Sequence, residues 1–463
     1  MNYRHYAWFI ILLSTLTTIS CKKKTVNASQ EPLVIVGSSA AGTAAIETLI
    51  AEKYPGKVLW ISDQQKNESP YYTVDLPSVF ENKKTIEQLS IFDIKSLPSN
   101  IIPIFGKRVM KVKSNQHTLV LNDGQSIKFS KLLLAIGMQY KPPRNFAQQN
   151  SEGVFTFGRS YDVQEIMNYL DKRPVKNVLV VGFGLIAADV INGLVKEREH
   201  LTTHILLRGN KILERYCDEQ GSEIARKDLE NHGVKIHTSV TITSILKTSD
   251  GHVKGVLLSN GSTLNCEMII FATGPIIQEE LFKNAGIRIE NGGIWTDATL
   301  QTNQSDIFVA GDGVLIPNLT TDYYQPSSKW MDAREQGKIA AKNMLGKNIS
   351  YKGSSFPLRI KFLDTSITTC GLVSGIPGDA EKISSKDDTS YAAIFHKQGV
   401  IKGFIFINIK NKFLPFKLKN MIEAKKTIRK KDAEYLVDEA SSRGVTFGNV
   451  FVFIKEVIKR IVQ

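Results

Sequence analysis

The stretch Leu33-Val34-Ile35-Val36-Gly37-Ser38-Ser39-Ala40-Ala41-Gly42 decides the fold of this 463-residue chain. Its four apolar residues predict a buried β-strand, and the Gly, Ser and Ala residues after them predict a tight turn that leads into a helix. A helix that begins with small side chains leaves its first N–H groups open to a phosphate. The stretch therefore predicts a parallel α/β unit that holds a dinucleotide.

An acidic residue after the next predicted strand supports this interpretation. The run Val58-Leu59-Trp60-Ile61 predicts that strand, and Asp63 lies 21 residues after Gly42. A carboxylate at this place can accept hydrogen bonds from ribose hydroxyls. Ser39 stands where the usual fingerprint has its second glycine, which lets the backbone approach the phosphate. Serine is small, so this departure weakens the prediction without removing it.

The same pattern recurs later in the chain. Residues 177–181 predict a second buried strand, residues 182–187 a second glycine turn and helix start, and residues 204–208 the following strand. One match to a glycine-turn pattern is weak evidence. Two matches, each between a predicted strand and a predicted helix, are much stronger because the same unit has been built twice.

Each unit closes on a short apolar strand that ends in glycine, at Gly137 and at Gly274. A further run, Ile307 to Asp312, then leads into an amphipathic helix near residues 333–341. The first unit is therefore predicted to be interrupted by the second and then resumed.

The composition indicates an ordinary globular protein of two or three domains. Lys and Arg total 59 against 45 Asp and Glu, a net charge of +14, and bases are frequent at residues 22–24 and after Lys410. No nucleic-acid-binding motif accompanies these bases. We therefore expect no nucleic-acid partner and attribute the charge to solubility and to attraction toward anionic surfaces.

The first 21 residues are predicted to lie outside the fold. Arg4 and His5 precede an apolar run, Ala7 to Leu13, that is too short to span a bilayer, and a Ser/Thr-rich segment ends at Cys21. This segment resembles a bacterial lipoprotein signal in which Cys21 becomes the lipidated first residue. An uncleaved anchor and an ordinary signal peptide are the alternatives. All three place the protein at a membrane on the exported side, and the first predicts a membrane-anchored lipoprotein of the bacterial cell envelope.

The remaining cysteines exclude several kinds of chemistry. Cys217, Cys266 and Cys370 are widely separated in sequence. Neither a zinc ribbon nor a Cys-x-x-Cys redox pair can be built from this spacing, so we expect no metal site. Scattered single cysteines are most often small core residues.

Together these motifs resemble the FAD-dependent pyridine nucleotide oxidoreductases, the two-dinucleotide-binding flavoproteins. The resemblance covers roughly residues 31–410 and is closest to the rubredoxin reductase, ferredoxin reductase and nitrite reductase flavodomain group. The motifs that carry it are Gly37 to Gly42, Lys131 to Gly137, Gly182 to Asp189, Leu207 to Leu213, Ala272-Thr273-Gly274 and Ile307 to Asp312.

The resemblance implies an α/β fold. It has two Rossmann-like nucleotide-binding domains, the second inserted in the first, and a small C-terminal α+β interface domain. The implied domains are an FAD-binding domain at 31–149 and 268–350, an NAD(P)-binding domain at 150–267, a β-rich interface domain at 351–410 and a basic helical extension at 411–463.

The resemblance also implies where FAD binds. The turn from Gly37 to Gly42 would cradle the pyrophosphate, Asp63 would bind the adenosine ribose, and Asp312 would bind the ribityl chain or the flavin-side phosphate region. The helix around Gln336 would lie beside the isoalloxazine. The alternative role of Asp312 is that of a helix or turn cap. The implied FAD-binding residues are Gly37, Ser38, Ser39, Ala40, Ala41, Gly42, Asp63, Val109, Ala135, Gly137, Gly311, Asp312 and Gln336.

A second set of residues is implied to bind the nicotinamide dinucleotide. The acid that would mark NAD is missing, because the strand ends at Leu207-Arg208 and Asn210-Lys211 follow. A guanidinium suits a 2′-phosphate, so NADPH is slightly favoured over NADH. The alternative is that Arg208 is a solvated charge at a strand end. The set is Gly182, Gly184, Ala187 and Arg208, and Gly274 completes the implied cofactor-binding residues.

The chain departs from similar reductases near the flavin. Those reductases bring a lysine close to flavin N5 and a glutamate beside it, whereas the corresponding segment here ends at Ser78 and the second nucleotide helix offers Asp189. Both members of the pair differ, and no replacement base is evident. The catalytic residue is therefore unknown from sequence, and the flavin is expected to do the chemistry while the protein orients it.

The resemblance implies an FAD-dependent oxidoreductase that passes electrons between NAD(P)H and a protein or quinone acceptor. No redox-active disulfide is expected, because no cysteine stands at the positions where such relatives carry one. A homodimer is compatible with this family. Because exported compartments hold little NAD(P)H, an exported flavoprotein with a non-nicotinamide donor is one alternative, and a non-catalytic FAD-binding protein is another.

The C-terminal extension adds a possible membrane contact. Lys425-Lys426 and Arg429-Lys430-Lys431 predict a basic helix, and apolar residues between Val450 and Ile461 recur at helical spacing. Packing of this helix on its own domain is the first interpretation, and a peripheral helix on anionic lipid is the second.

Overall fold

The structure is a computed structural model that describes residues 31–65, 68–147, 151–320, 323–374 and 380–441. The predicted leader that ends at Cys21 and the predicted helix between Val450 and Ile461 lie outside these described residues. Among the described helices, none combines the length and apolarity that a membrane span requires.

The described part of the chain has ten α-helices, joined by turns and short 3₁₀ segments. They are α1 Ala40–Ala51, α2 Leu76–Phe80, α3 Arg144–Ala147, α4 Ser160–Lys172, α5 Leu185–Val195, α6 Glu219–Asn231, α7 Glu279–Asn284, α8 Trp330–Met344, α9 Leu414–Glu423 and α10 Lys430–Ser441.

Most strands are short and belong to one of two parallel sheets or to small antiparallel sheets. The described strands are β1 Leu33–Val36, β2 Val58–Ser62, β3 Ile101–Phe105, β4 Val109–Lys113, β5 Thr118–Leu121, β6 Ser126–Lys128, β7 Lys131–Leu134, β8 Val154–Thr156, β9 Asn177–Val181, β10 Thr202–Leu206, β11 Lys235–His237, β12 Ile242–Lys247, β13 Val253–Leu258, β14 Thr263–Asn265, β15 Met268–Phe271, β16 Ile289–Glu290, β17 Gly293–Ile294, β18 Ile307–Val309, β19 Leu315–Pro317, β20 Tyr324–Pro326, β21 Leu358–Phe362, β22 Thr365–Gly371, β23 Glu381–Lys386, β24 Tyr391–Lys397 and β25 Val400–Ile407.

The first parallel sheet has the order β18-β7-β1-β2-β3. All four residues of β1 are buried, since β1 pairs with β2 on one side and with β7 on the other. Helices α1 and α8 contact the sheet, and buried residues of β4, β5 and β6 belong to the same hydrophobic core. This order is that of a Rossmann-like unit, with the first strand in the middle. Strand β18 comes from residue 307 onward, so the sheet is completed only after the second unit has been made.

The second parallel sheet has the order β11-β10-β9-β15-β8 and repeats the same arrangement. Strand β9 pairs in parallel with β10 and with β15, and the central residues of β9 are buried. The fold is therefore an α/β fold with two Rossmann-like units, the second inserted in the first.

The C-terminal part is an antiparallel sheet, β21-β22-β25-β24-β23, with α9 and α10 on one face. Successive side chains of β24 lie on opposite faces of this sheet. Tyr391 and Phe395 pack toward the second nucleotide unit, and Ala392 and Ile394 pack toward α9 and α10. This is the small α+β domain that the sequence predicts. Lys425 and Lys426 lie between α9 and α10, so the predicted basic helix is interrupted at these residues.

Candidate functional site

The carboxyl ends of strands from both parallel sheets line one cleft of about 2140 Å³. Ligands of open α/β sheets bind at this edge, where the strand order reverses. Most of the predicted cofactor-binding residues lie on its wall, namely Gly37, Ser38, Ser39, Ala40, Ala41, Asp63, Val109, Ala135, Gly137, Gly182, Gly184, Arg208, Gly274, Gly311 and Asp312. Gly42, Ala187 and Gln336 are absent from the wall and lie behind it.

The first glycine turn needs its two glycines for different reasons. Gly37 has a φ of 113°, and a Cβ there would meet the carbonyl oxygen of Ala135 at 2.1 Å. A Cβ on Gly42 would meet the carbonyl oxygen of Gly37 at 1.9 Å. The turn can therefore pack against the end of β7 and against α1 only if both residues are glycine.

Position 39 does not require a glycine, which explains why serine is tolerated where the fingerprint has its second glycine. It is the exposed N-cap residue of α1, with an ordinary extended φ of −90°. Ser38 beside it is buried, and its Oγ lies 2.6 Å from Ser62 Oγ and 2.6 Å from Gln64 Oε1. Gln64, which the sequence analysis did not single out, thus helps to hold the turn from the end of β2.

The Asp63 carboxylate is hydrogen-bonded to two arginines that sequence reasoning missed. Its Oδ2 accepts hydrogen bonds from Arg108 Nη2 at 3.0 Å and from Arg159 Nη1 at 3.0 Å. Burial raises the pKa of Asp63, but the two guanidinium groups outweigh it, so the pKa is lowered overall. Arg159 comes from the start of α4 and therefore links this carboxylate to the segment that enters the second unit.

Beside the first glycine turn, the bottom of the cleft is formed by three segments: the end of β7, the residues after β18 and helix α8. Gly137 follows β7 and lies beside Asp312, since a Cβ on it would be 3.9 Å from that of Asp312. Burial and the nearby Asp332 carboxylate raise the pKa of Asp312 to about 7. Gln336 is fully buried, and its Oε1 accepts a hydrogen bond from the Gly311 N–H at 2.8 Å. Gln336 therefore supports the backbone of the floor from below.

The second glycine turn opens directly onto the cleft. Gly182 has a φ of 91°, and Gly184 is the N-cap residue of α5 with no atom within 4 Å of its missing Cβ. Arg208, Lys211 and Arg215 line the same side of the cleft, and all three are exposed. Arg215 is a cation that sequence reasoning missed, because it lies seven residues beyond the strand-end motif.

Asp189 on α5 lines the cleft between the two glycine turns. Burial, and after it the Glu81 carboxylate, raise the pKa of Asp189 to about 7. Ser78 is not on the wall and donates its hydroxyl to Asp75. The nearby Lys84 forms an ion pair with the same residue, with 2.6 Å between Lys84 Nζ and Asp75 Oδ2. Within the described part of the 73–84 segment, no lysine therefore reaches the cleft to pair with Asp189.

Tyr140 is a further cleft residue that sequence reasoning missed. Its ring packs so closely on Gly158 that a Cβ there would overlap it at 2.1 Å. Burial, followed by the carboxylates of Asp312 and Asp189, raises the pKa of Tyr140. The Tyr140 hydroxyl is therefore influenced by both Asp312 and Asp189 and remains protonated at neutral pH.

Cys370 is the cysteine of the described residues that lies on the cleft wall. Its Sγ donates to the carbonyl oxygen of Ser355 at 3.0 Å, and burial raises its pKa to about 11. Cys217 and Cys266 are free and buried elsewhere. The described cleft therefore contains no cysteine pair.

The family model described as pyridine nucleotide-disulphide oxidoreductase matches residues 31–337. The chain belongs to this family.

Relatives of the pyridine nucleotide-disulphide oxidoreductase family cover most of the chain. A rubredoxin-NAD(+) reductase of Acinetobacter baylyi is 26% identical over 386 residues, which span 81% of this chain and 94% of the relative. The fold matches a putidaredoxin reductase–putidaredoxin complex with a TM-score of 0.78 at 19% identity, over 89% of this chain and 99% of that one. An engineered water-forming NADPH oxidase derived from a Lactobacillus brevis enzyme matches with a TM-score of 0.77 at 17% identity, over 90% and 94% of the two chains.

Members of this family are NAD(P)H-dependent flavoprotein oxidoreductases, and this protein is one of them. The residues on the wall fit a dinucleotide at the first turn. The N-terminus of α1 is free of bulky side chains, and the buried Asp332 Oδ1 has no hydrogen-bond partner among the described residues. An unpartnered buried oxygen on the cleft wall is suited to a ligand hydroxyl or N–H group.

Proposed function

We propose that this protein oxidises NADPH and passes the electrons through bound FAD to a protein or quinone acceptor, without a redox-active disulfide. The observation that carries the proposal is the single cleft that joins both glycine turns. A nicotinamide held at the second turn and a flavin held at the first would share this space. FAD, when bound, supplies the hydride-accepting chemistry and the release of single electrons.

Different residues of the cleft would bind different parts of FAD. The turn from Gly37 to Ala41 would hold the FAD pyrophosphate on the N-terminus of α1, and Asp63 would accept a ribose hydroxyl while Arg108 and Arg159 keep it ionised. Asp312 would hold the ribityl region, supported from behind by Gln336 through Gly311. We propose the domain bounds of the sequence analysis with one correction: Met268–Phe271 (β15) pairs with β9 and β8 in the second sheet, so the second nucleotide unit extends to residue 271 and not to 267.

The preference for NADPH is supported by three cations. Arg208, Lys211 and Arg215 line the cleft just after β10, where an acid would select NADH. The engineered NADPH oxidase carries substitutions of Asp to Ala, of Ala to Arg and of Pro to Arg, which change the charge in the same direction. A guanidinium can bind a phosphate through two hydrogen bonds, which gives both affinity and geometry.

A protein acceptor is supported by the names of the relatives and by the cleft mouth. Rubredoxin and putidaredoxin are the partners named for two of them. At the mouth, Tyr72 and Trp330 meet edge to face at 4.8 Å, and Val74 and Met331 beside them are more than half exposed. These apolar side chains form a contact area through which electrons could leave the flavin.

We also propose that the mature protein is a lipoprotein of the cell envelope, anchored through Cys21. The support is the leader sequence. Since an exported compartment holds little NAD(P)H, this location favours a non-nicotinamide donor as the second candidate.

Anaerobic titration of the purified protein with NADPH and with NADH tests both candidates. Bleaching of the flavin absorbance by NADPH at lower concentration than by NADH supports the proposal. Flavin that neither nicotinamide reduces, while a dithionite control does, supports the second candidate. Protein purified without flavin, and unable to take up added FAD, contradicts both.

A further inference from the structure

Helix α9 has an apolar exposed face opposite its buried one. Its buried face packs on the C-terminal sheet through Leu414, Leu418, Met421 and Ile422. Phe413 at the N-cap is 68% exposed, and Phe416 is 50% exposed. The two are three residues apart and therefore neighbours on one side of the helix. Two large aromatic side chains thus point into solvent from one turn.

The segment of the chain that carries this face is strongly basic. Residues 410–431 contain nine Lys or Arg and one acidic residue, a surplus that exceeds half of the chain's net charge of +14. Lys410, Lys412, Lys426 and Lys430 are exposed. The one acidic residue of this segment, Glu423, already has partners in the fold. Its carboxylate accepts hydrogen bonds from Lys419 at 2.7 Å and from Ser355 at 2.8 Å.

We propose that this face, which we call the α9 surface and define as Lys410, Lys412, Phe413 and Phe416, binds an anionic phospholipid bilayer. Lysines near an anionic membrane are attracted by its surface potential, and aromatic side chains on the same face enter the interfacial region. An acidic protein partner would be attracted by the lysines. Solvent-exposed phenylalanines that closely follow exposed lysines in the chain fit the headgroup boundary better, because a bilayer offers apolar volume directly beneath its charges.

The helix that carries the α9 surface also contacts a residue of the cleft wall. Lys419 Nζ lies 5.0 Å from the centre of the Phe356 ring, and Phe356 lines the cleft. The α9 surface therefore belongs to a helix that adjoins the cleft wall. Binding of α9 to a bilayer would hold the protein by its C-terminal domain, independently of any lipid on Cys21.

Vesicle flotation tests the proposal with the chain that begins at Lys22, which keeps every described element and carries no leader. The probes are vesicles of phosphatidylcholine alone and of phosphatidylcholine with an equal amount of phosphatidylglycerol. We expect binding to the anionic vesicles and little to the neutral ones. The K410Q/K412Q variant should bind the anionic vesicles about 25-fold more weakly, since each lysine contributes about fivefold. The F413S/F416S variant should bind at least about tenfold more weakly, since two phenyl rings no longer bury apolar area in the bilayer.

Matched variants on a distant sheet serve as controls. K111Q/K113Q removes two exposed lysines of β4, and M110S removes an exposed apolar side chain of the same strand. Both should bind like the parent, and flavin content and the thermal unfolding midpoint should be unchanged in every variant used. The proposal is overturned if the α9 variants float as well as the parent, which would assign lipid binding to another segment. It is also overturned if they keep lipid binding but lose electron transfer to an acidic electron-carrier protein, which would make this surface a protein docking site.

Discussion

At the scale of single residues, the first turn shows which small side chains are essential. Positions 37 and 42 require glycine, because a Cβ there would lie 2.1 and 1.9 Å from backbone oxygen atoms. Ser39, by contrast, is exposed and has an ordinary backbone conformation. A fingerprint read along the sequence treats these positions alike. The structure separates them, because only the first two lie where a Cβ has no room.

Substitution of Gly37 by Ala should therefore abolish stable FAD binding and destabilise the fold by more than about 2 kcal/mol, through the positive φ and the overlap with Ala135. Ser39→Gly is the matched control and should keep the flavin. Flavin content after purification and urea unfolding are the measurements. Retention of FAD by the Gly37 variant would contradict this account of the turn.

Arg208→Gln should raise the KM for NADPH about 10- to 100-fold, because a charge-assisted hydrogen bond to the 2′-phosphate is lost. The KM for NADH should change little. Lys227→Gln removes an exposed cation on α6, away from the cleft, and should leave both values unchanged. Equal effects on the two nicotinamides would show that Arg208 does not select the phosphate.

Asp189 should make flavin reduction depend on pH. Its pKa of about 7 means that it is neutral below pH 7 and anionic above it. Since hydride transfer brings negative charge to the flavin, the anion should slow reduction, and the rate should fall as pH rises through about 7. Asp189→Asn should keep the low-pH rate at high pH. Stopped-flow reduction by NADPH from pH 6 to about 9 measures this, and an unchanged profile in the variant would refute it.

At the scale of elements, α6 and β24 join the C-terminal domain to the second nucleotide unit. Tyr391 of β24 donates its hydroxyl to Asp218 Oδ2 at 2.6 Å, and the other oxygen of Asp218 accepts the Gly221 N–H at the start of α6. One carboxylate thus caps a helix and holds a neighbouring sheet. No local sequence pattern connects residues this far apart.

Tyr391→Phe should lower the free energy of unfolding by about 1–2 kcal/mol, because Tyr391 is fully buried and its hydroxyl bond is to a charged group. Tyr324→Phe is the control, since Tyr324 is 57% exposed. Chemical denaturation of both variants is the measurement. A Tyr391 variant as stable as the parent would show that the contact adds nothing to docking of the domain.

At the scale of the whole molecule, the proposed function has electrons enter and leave the cleft on different sides. The nicotinamide side is lined by cations after β10, and the mouth near α8 is lined by exposed apolar side chains. Val74→Glu combined with Met331→Glu should therefore reduce turnover with a protein acceptor at least tenfold while leaving anaerobic reduction by NADPH unchanged. Steady-state and stopped-flow rates, measured side by side, distinguish the two half-reactions. A parallel loss in both would indicate damage to the cleft as a whole.

Local sequence was sufficient to determine the two Rossmann-like units, the interruption of the first by the second and the C-terminal domain. The reason is that buried parallel strands and glycine turns depend on short contiguous runs, such as Leu33–Gly42, whose hydrophobicity and backbone freedom are visible in the sequence. The family, with its flavin and nicotinamide chemistry, follows from the same runs.

Only the tertiary structure decided which distant side chains meet. Arg108 and Arg159 converge on Asp63 from separate segments, and Gln336 lies behind the cleft wall, where it accepts a hydrogen bond from Gly311. Ser78 donates to Asp75, and no lysine of residues 73–84 lines the cleft beside Asp189. These outcomes depend on how strands and helices separated by many residues pack together. The charge state of each acid then depends on burial and on the partners that this packing supplies, which no local pattern specifies.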